Sequence, residues 1–396
     1  MIPRFNYRFS PRDAWHSLQS LTIPVSPVAD TLSKLFPGAL LHEISSARVG
    51  ICYALRAFGL PPGARVGVQP YTCSSVLTAI VAANCQPVFI DINEQLTLDV
   101  DDLQRKLPQL NALIVTHTFG IPASIDQIKQ LAGHLPILED CAHAFLSRYE
   151  NVLLGRFFDA AVFSFGNGKF PSLGGGGLLV INNRRYAERT AKQLRGLTRP
   201  DVLSELVFVG KRLLNALLHS HQGERWQHVL LNETMIDRKN QSVSACPARD
   251  QRPHRSIGAA LQQQVGKLKL RARQQQTNAR YLAQQHRKAY NILIPPSASG
   301  HAFAVVLLTN RRNDLYRHLR QNGVGAGKHF QYAQKWAVQF GYRPGQCPLF
   351  ERLAGQVLTI PCHYNLTTND LQLIDLALTE FQTERYPPHE KSIDRH

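Results

Sequence analysis

Two short stretches carry the side chains best suited to chemistry. Asp140-Cys141-Ala142-His143 supplies a carboxylate and an imidazole. Ser164-Phe165-Gly166-Asn167-Gly168-Lys169 supplies a hydroxyl and an amine, and Gly174-Gly175-Gly176-Gly177 follows closely. Taken singly, each has an ordinary use. An aspartate at a strand end caps a turn, a lysine in a glycine-rich loop is solvated, and consecutive glycines let one backbone pass close to another. Together they form a rarer set. A lysine amine forms a Schiff base with an aldehyde. A carboxylate can hold a pyridine nitrogen protonated, which makes the ring an electron sink. Hydroxyls and the N–H groups of a helix N-terminus hold a phosphate. Those are the needs of pyridoxal phosphate, and Lys169, Asp140, Ser164 and the start of a helix over 46–58 could meet them in turn.

These groups need a scaffold that brings them to one edge. Short apolar runs at 65–68, 87–91, 112–117, 136–139, 160–165 and 178–181 read as buried strands bounded by Gly, Pro or Asn. Amphipathic stretches at 46–58, 74–83 and 125–133 lie between them. Strand–helix alternation at this spacing predicts an α/β fold, a mostly parallel sheet with helices on both faces. Ligands of such sheets sit at the carboxyl ends of the strands, which is where Asp140 and Ser164 fall. Past 182 the pattern changes. From 184 to 255 there are 14 basic and 7 acidic residues, a net of 14 − 7 = +7. A long Gln-rich helix is expected over 256–285, then a strand at 302–308, a helix at 314–321 and a last strand–loop–helix through 358–382. The expected division is a large cofactor-binding domain, 1–250, with a basic insertion near 201–253, a smaller C-terminal α+β domain, 251–386, and a disordered tail, 387–396.

The 396 residues are 44% hydrophobic and 18% charged, an ordinary globular composition. Lys plus Arg is 45 against 28 Asp plus Glu, a net of 45 − 28 = +17. That charge invites a nucleic-acid reading, but no helix-turn-helix, RNP-type or zinc signature accompanies it. Phosphate-bearing small substrates suit the charge as well. The seven cysteines form no CxxC pair, and no Cys/His cluster has zinc-ligand spacing. No metal site is expected. The N-terminus lacks the apolar core of a signal peptide and no run spans a bilayer, so a cytoplasmic protein is expected.

Six motifs in order resemble the DegT/DnrJ/EryC1/StrS sugar aminotransferases, which are fold-type-I pyridoxal-phosphate enzymes. Glu139-Asp140-Cys141-Ala142-His143 is similar to the family's E-D-A-A-[QH], Ser164-Phe165-x-x-x-Lys169 to S-F-x-x-x-K, and Gly174-x-Gly176-Gly177 to G-E-G-G. Phe119-Gly120-x-Pro122-Ala123-x-x-Asp126 resembles Y-G-x-P-A-x-x-D. Gly323-Val324-Gly325 with His329-Phe330 resembles G-I-G…H-Y, and Leu358-Thr359-Ile360-Pro361-Cys362-His363 resembles L-S-L-P-x-H. The resemblance implies that Lys169 binds the cofactor aldehyde and shuttles a proton, and that Asp140 pairs with the ring nitrogen. It puts His143 near the ring hydroxyl, Ser164 with the backbone of Ala47 and Arg48 at the phosphate, and His329 toward the substrate. It further implies a homodimer with the site shared between subunits, a nucleotide-linked keto-sugar substrate, and glutamate as amino donor.

The chain also departs from the family. The phosphate-binding S-G-T is Ser46-Ala47-Arg48, so Arg48 could hold the phosphate directly or fill its place. Cys73 stands where an aromatic often stacks on the ring, leaving Tyr71 as the substitute. The G-E-G-G glutamate is Gly175, and N-Y-R-M appears as Pro253-His254-Arg255-Ser256, in which only Arg255, the expected partner-phosphate contact, survives. An alternative is therefore a protein of this fold with altered catalysis and a binding or regulatory role. The family does not explain 202–218, where Leu203, Leu206, Val207, Gly210, Leu213, Leu214 and Leu217 share one helical face. Lys211 and Arg212 sit mid-helix, with Arg195, Arg199, Arg225, Arg238 and Lys239 flanking. Such a helix binds an anionic membrane face peripherally, or it packs on its own core or a dimer interface.

Overall fold

The computed structural model describes residues 1–396 except Arg8, Val25, His221, 224–250 and 384–396. The expected tail and much of the expected insertion, with Arg225, Arg238 and Lys239, lie outside the described residues. In chain order the main strands are β1 (Leu40–Ile44), β2 (Arg65–Val68), β3 (Gln86–Phe89), β4 (Ala112–Thr116) and β5 (Ile137–Asp140). A hairpin, β6 (Arg148–Tyr149) and β7 (Val152–Leu153), precedes β8 (Ala160–Ser164) and β9 (Gly177–Ile181). Seven of these form one sheet in the order β1-β9-β8-β5-β4-β2-β3. Strands β3, β2, β4, β5 and β8 run parallel, whereas β9 is antiparallel to both β8 and β1.

Period-2 alternation explains why both faces are covered. Along β4, Ala112 and Ile114 join one apolar cluster and Leu113 and Val115 the other. The first cluster holds the helices Ala47–Ala57 and Ser74–Ala82, and the second holds Ile125–Ala132 and Arg255–Gln264. Strands buried on two faces are nearly all apolar, which is why they stand out in the sequence. Strand β1 does not stand out. It is an edge strand, carries His42 and Glu43, and only Ile44 is buried.

A second sheet orders β10 (Asn291–Leu293), β11 (Val305–Leu308) and β12 (Val357–Ile360), all antiparallel. The helices Arg312–Gln321 and Thr368–Thr383 pack there through Leu315, Leu319, Ile374 and Leu378. Ile2 bridges Val324, so the first residues of the chain dock on this second lobe. The long helix expected over 256–285 is two helices, Arg255–Gln264 and Leu268–His286, separated by a 3₁₀ turn at Val265–Lys267. Gly266 lies in that turn, and glycine costs a helix interior about 1 kcal/mol. Packing changes partner farther on, within the second helix. Ile257 to Ala272 serve the large sheet, and Ala279 and Leu282 serve the second lobe.

Candidate active site

Strand register fixes the site. Ser164, the last residue of β8, pairs with Gly177, the first of β9, which pairs in turn with Ile44 at the end of β1. Two residues on, Ser46 caps the helix Ala47–Ala57, its hydroxyl accepting from Val49 N–H at 3.4 Å. The first N–H groups of that helix therefore have no intrahelical partner and face the edge where β5 delivers Asp140 and β8 delivers Ser164. Gly177 makes the approach possible. A Cβ there would lie 2.3 Å from the Phe163 carbonyl oxygen and 3.4 Å from Ala47 N. Gly177→Ala is expected to cost about 1–3 kcal/mol, the scale of overpacking. An unchanged urea midpoint would show that the two strands yield freely.

A cavity of about 100 Å³ opens at this edge, lined by Ala47, Thr72, Cys73, Asp140, His143, Ser164, Lys169 and Phe330 among others. The loop after β8 turns back through a Lys169 N–H to Gly166 carbonyl bond of 3.1 Å. The Lys169 Nζ lies 5.3 Å from the centre of the Phe303 ring. Burial lowers the lysine's pKa below its ordinary 10.5, against the charge of nearby Asp140, which raises it. Burial also raises the pKa of Asp140, although the Ala142 N–H bond, at 3.1 Å, and Lys169 pull the other way. The His143 ring is held neutral, its pKa pushed down by burial and by Lys169 and Arg4. Its Nδ1 accepts from Phe119 N–H at 3.3 Å, so Nε2 carries the proton. The ring stacks on Phe303 with centroids 4.1 Å apart.

The lowered lysine pKa has a sign that can be checked. Only the neutral amine attacks an aldehyde, and its fraction rises with pH until the amine is fully deprotonated. Reconstitution of the apoprotein with pyridoxal phosphate should therefore accelerate with pH and level off below 10.5. A rate still climbing through 10.5 would contradict the burial effect.

The other expected site residues do not line this cavity. Tyr71 is fully buried, does not line the cavity, and donates its hydroxyl to the His329 carbonyl at 2.9 Å. It is a strut under the His329 loop rather than a stacking partner. Arg48 is not among the cavity residues. Arg255 is exposed, and its backbone N–H donates to Glu205 at 2.6 Å. His329 sits 5.1 Å from His143, ring to ring. Glu139, beside Asp140, serves the fold. It accepts from His117 at 3.2 Å and from the N–H groups of Gly155, Phe157 and Phe158 at 2.6, 2.8 and 3.1 Å. In the buried trio His117, Glu139 and Cys141, the imidazole and the carboxylate are thus spent on internal hydrogen bonds. Sequence reasoning missed Phe330 and Phe303 as walls, and missed Arg4. Phe330 has a positive φ of 51° and Phe119 one of 56°, strain of the kind that collects at functional sites.

The helix Val202–Leu218 forms as expected, but it is turned inside out. Glu205, Val209 and Arg212 are buried, while Leu203 and Leu217 are 70% and 69% exposed. Of the apolar stripe, Leu213 packs beside Val209 on a small cluster with Phe9 and Ala14, whereas Leu203, Leu206, Val207, Leu214 and Leu217 are exposed among the described residues, and Arg212 does not face outward. Its guanidinium lies 3.8 Å over the Phe9 ring. The buried Glu205 caps the helix Arg255–Gln264 through the Arg255 N–H and the Ser256 hydroxyl, the latter at 3.0 Å. No described helix is long and apolar enough to cross a membrane.

A lysine, a buried carboxylate and a helix N-terminus thus gather at the carboxyl edge of a mostly parallel sheet covered on both faces. The sequence profile of the DegT/DnrJ/EryC1/StrS aminotransferase family matches residues 42–378, and the chain belongs to that family. Aminotransferases of this family depend on pyridoxal phosphate. The chain is 33% identical over 150 residues to the GDP-perosamine synthase of Escherichia coli O157:H7, a match covering 37% of this chain and 41% of that one. It is 32% identical over 151 residues to the spore coat polysaccharide biosynthesis protein SpsC of Bacillus subtilis, covering 37% and 39%. These matches thus span about two fifths of the relatives' lengths. The aminotransferase TlmJ of Streptoalloteichus hindustanus superposes with a TM-score of 0.74 at 20% identity, over 97% of this chain and 98% of that one. At that identity the likeness is one of fold.

Proposed function

We propose that this protein transfers an amino group, drawn from glutamate, to a keto-sugar carried on a nucleotide. The observation that carries the reading is the convergence of Lys169 and Asp140 on one cavity beside the N-terminus of the helix Ala47–Ala57. The groups present fit pyridoxal phosphate. Bound there, it would supply an aldehyde for the lysine amine and an electron sink for charge developing on the substrate carbon. Lys169 would hold it and could move a proton at the reacting carbon, a task suited to an amine whose pKa burial has lowered. Asp140 holds a proton at the ring nitrogen, and that positive partner offsets the cost of its own burial. The Ser164 hydroxyl and the N–H groups of Ala47 and Arg48 hold the phosphate. The Nε2 proton of His143 is free to orient the ring hydroxyl. His329 faces the substrate. Nucleotide-sugar relatives, such as the GDP-perosamine synthase, support the substrate class. The retained Lys169 and Asp140 favour this reading over a non-catalytic role. The test is a screen of keto-sugar nucleotides with glutamate, scored by 2-oxoglutarate formed. No product with any of them would sink the reading.

The active form is a homodimer. Arg255 is exposed on this protomer, placed to reach a partner's phosphate site. The exposed stripe of the helix Val202–Leu218 adjoins it through Glu205, and a second copy would cover that stripe. Sedimentation at micromolar concentration should give twice the chain mass, and Leu203→Ser with Leu217→Ser should shift it toward the monomer. A monomer with full activity would contradict this. Flotation with anionic vesicles that those two changes abolish would instead put a lipid surface on the stripe.

A further inference from the structure

The N-terminal segment brings a cation into the site that neither motif spacing nor cofactor chemistry requires. Ile2 N–H donates to the Gly323 carbonyl at 2.7 Å, and Gly325 N–H donates to the Ile2 carbonyl at 2.9 Å. This stitching threads Arg4 over the backbone of Gly327, where a Cβ would lie 2.1 Å from the guanidinium. A larger residue there would push the guanidinium aside. The Arg4 Nη2 donates to His329 Nδ1. Arginine is only a donor, so His329 must carry its proton on Nε2.

Among the described residues, two buried donors are then left without an acceptor, Arg4 Nε–H and His329 Nε2–H. Among the described residues no carboxylate pairs with Arg4. Its other neighbours are the Phe5 ring, 4.5 Å away, and, more weakly, Tyr7, Tyr71 and Tyr316. Burial pulls the pKa of Arg4 down to about 10, and its charge in turn depresses Lys169, His143 and His329. A desolvated cation beside three groups that it disfavours lacks an anion.

We propose that Arg4, with His329 Nε2, binds the carboxylate of the amino donor, which completes an anion site facing Lys169. Position selects this anion over the nucleotide diphosphate. In an α-amino acid the carboxylate is bonded to the carbon that bears the reacting nitrogen, so its cation must sit close to Lys169. The diphosphate of a nucleotide sugar is separated from the keto carbon by the sugar ring and lies farther out. The planar fork of arginine matches a carboxylate in two parallel hydrogen bonds. The site rests on the aminotransferase reading for the identity of its ligand, but its binding can be measured without turnover.

The test titrates the holoenzyme with glutarate, which has the carbon skeleton of glutamate and no amine, and separately with UDP, by calorimetry. Arg4→Gln should weaken glutarate by roughly 10- to 100-fold, the scale for losing a charge-assisted hydrogen bond, and leave UDP unchanged. Arg4→Lys keeps the charge and loses the fork, so about a tenfold loss is expected. This variant decides alone if Arg4→Gln does not fold. Glutarate affinity unchanged by Arg4→Lys, no glutarate binding by the unsubstituted protein, or an equal loss of UDP binding would each overturn the assignment. Glutarate binding that depends on Arg4, in a protein that makes no 2-oxoglutarate from glutamate, would uphold the site and reject the transamination reading.

Discussion

Lys169→Ala should leave a folded protein that no longer transfers amino groups. The substitution removes the amine that anchors the cofactor and the base that moves the proton, so the loss combines two effects. Proton transfer alone contributes about 10²- to 10⁴-fold, and a fall of at least ~10⁴ in turnover is expected. Stability should change little. The lysine makes one ring contact, 5.3 Å from Phe303, and such contacts are worth about 0.5–2 kcal/mol. The check is an initial rate with glutamate and a keto-sugar nucleotide, beside a urea unfolding curve. Turnover near that of the unsubstituted protein, with the fold intact, would remove Lys169 from the chemistry.

Asp140→Asn should retain cofactor and lose rate. The amide oxygen can still accept the Ala142 N–H that now binds Oδ1 at 3.1 Å, so the turn after β5 survives. What it cannot do is hold a proton at a ring nitrogen. The missing negative charge should slow the chemical step by roughly 10² or more, the scale for one acid/base or electrostatic partner. Single-turnover absorbance measurements separate this from a binding defect. An unaltered single-turnover rate would reduce Asp140 to a turn residue.

The parts of this site that sequence revealed are those with local causes. Strands β4, β5 and β8 are apolar on both faces, so their ends could be found, and Asp140, Ser164 and Lys169 followed from those ends. The helix at 47–57 shows in the amphipathic pattern over 46–58. What was hidden depends on contacts far apart in the chain. Tyr71 has the right chemistry for a stacking partner, yet it is held under His329 by a bond across 258 residues. Arg4 reaches His329 only because Gly325 and Gly327 let the first residues thread against the second lobe. The helix Val202–Leu218 shows why an apolar stripe does not by itself face inward. Glu205 caps another helix, Arg212 lies over Phe9, and those two contacts turn Leu203, Leu206, Leu214 and Leu217 outward.

Lys169 is the residue proposed to bond the cofactor. The most direct measurement is reduction of the holoenzyme with borohydride, followed by peptide mass mapping. Loss of the yellow absorbance band is expected, with one pyridoxyl adduct, on Lys169, in both the unsubstituted and Asp140→Asn proteins, and none in Lys169→Ala. An adduct on a different lysine, or no adduct in a protein that still transaminates, would contradict it.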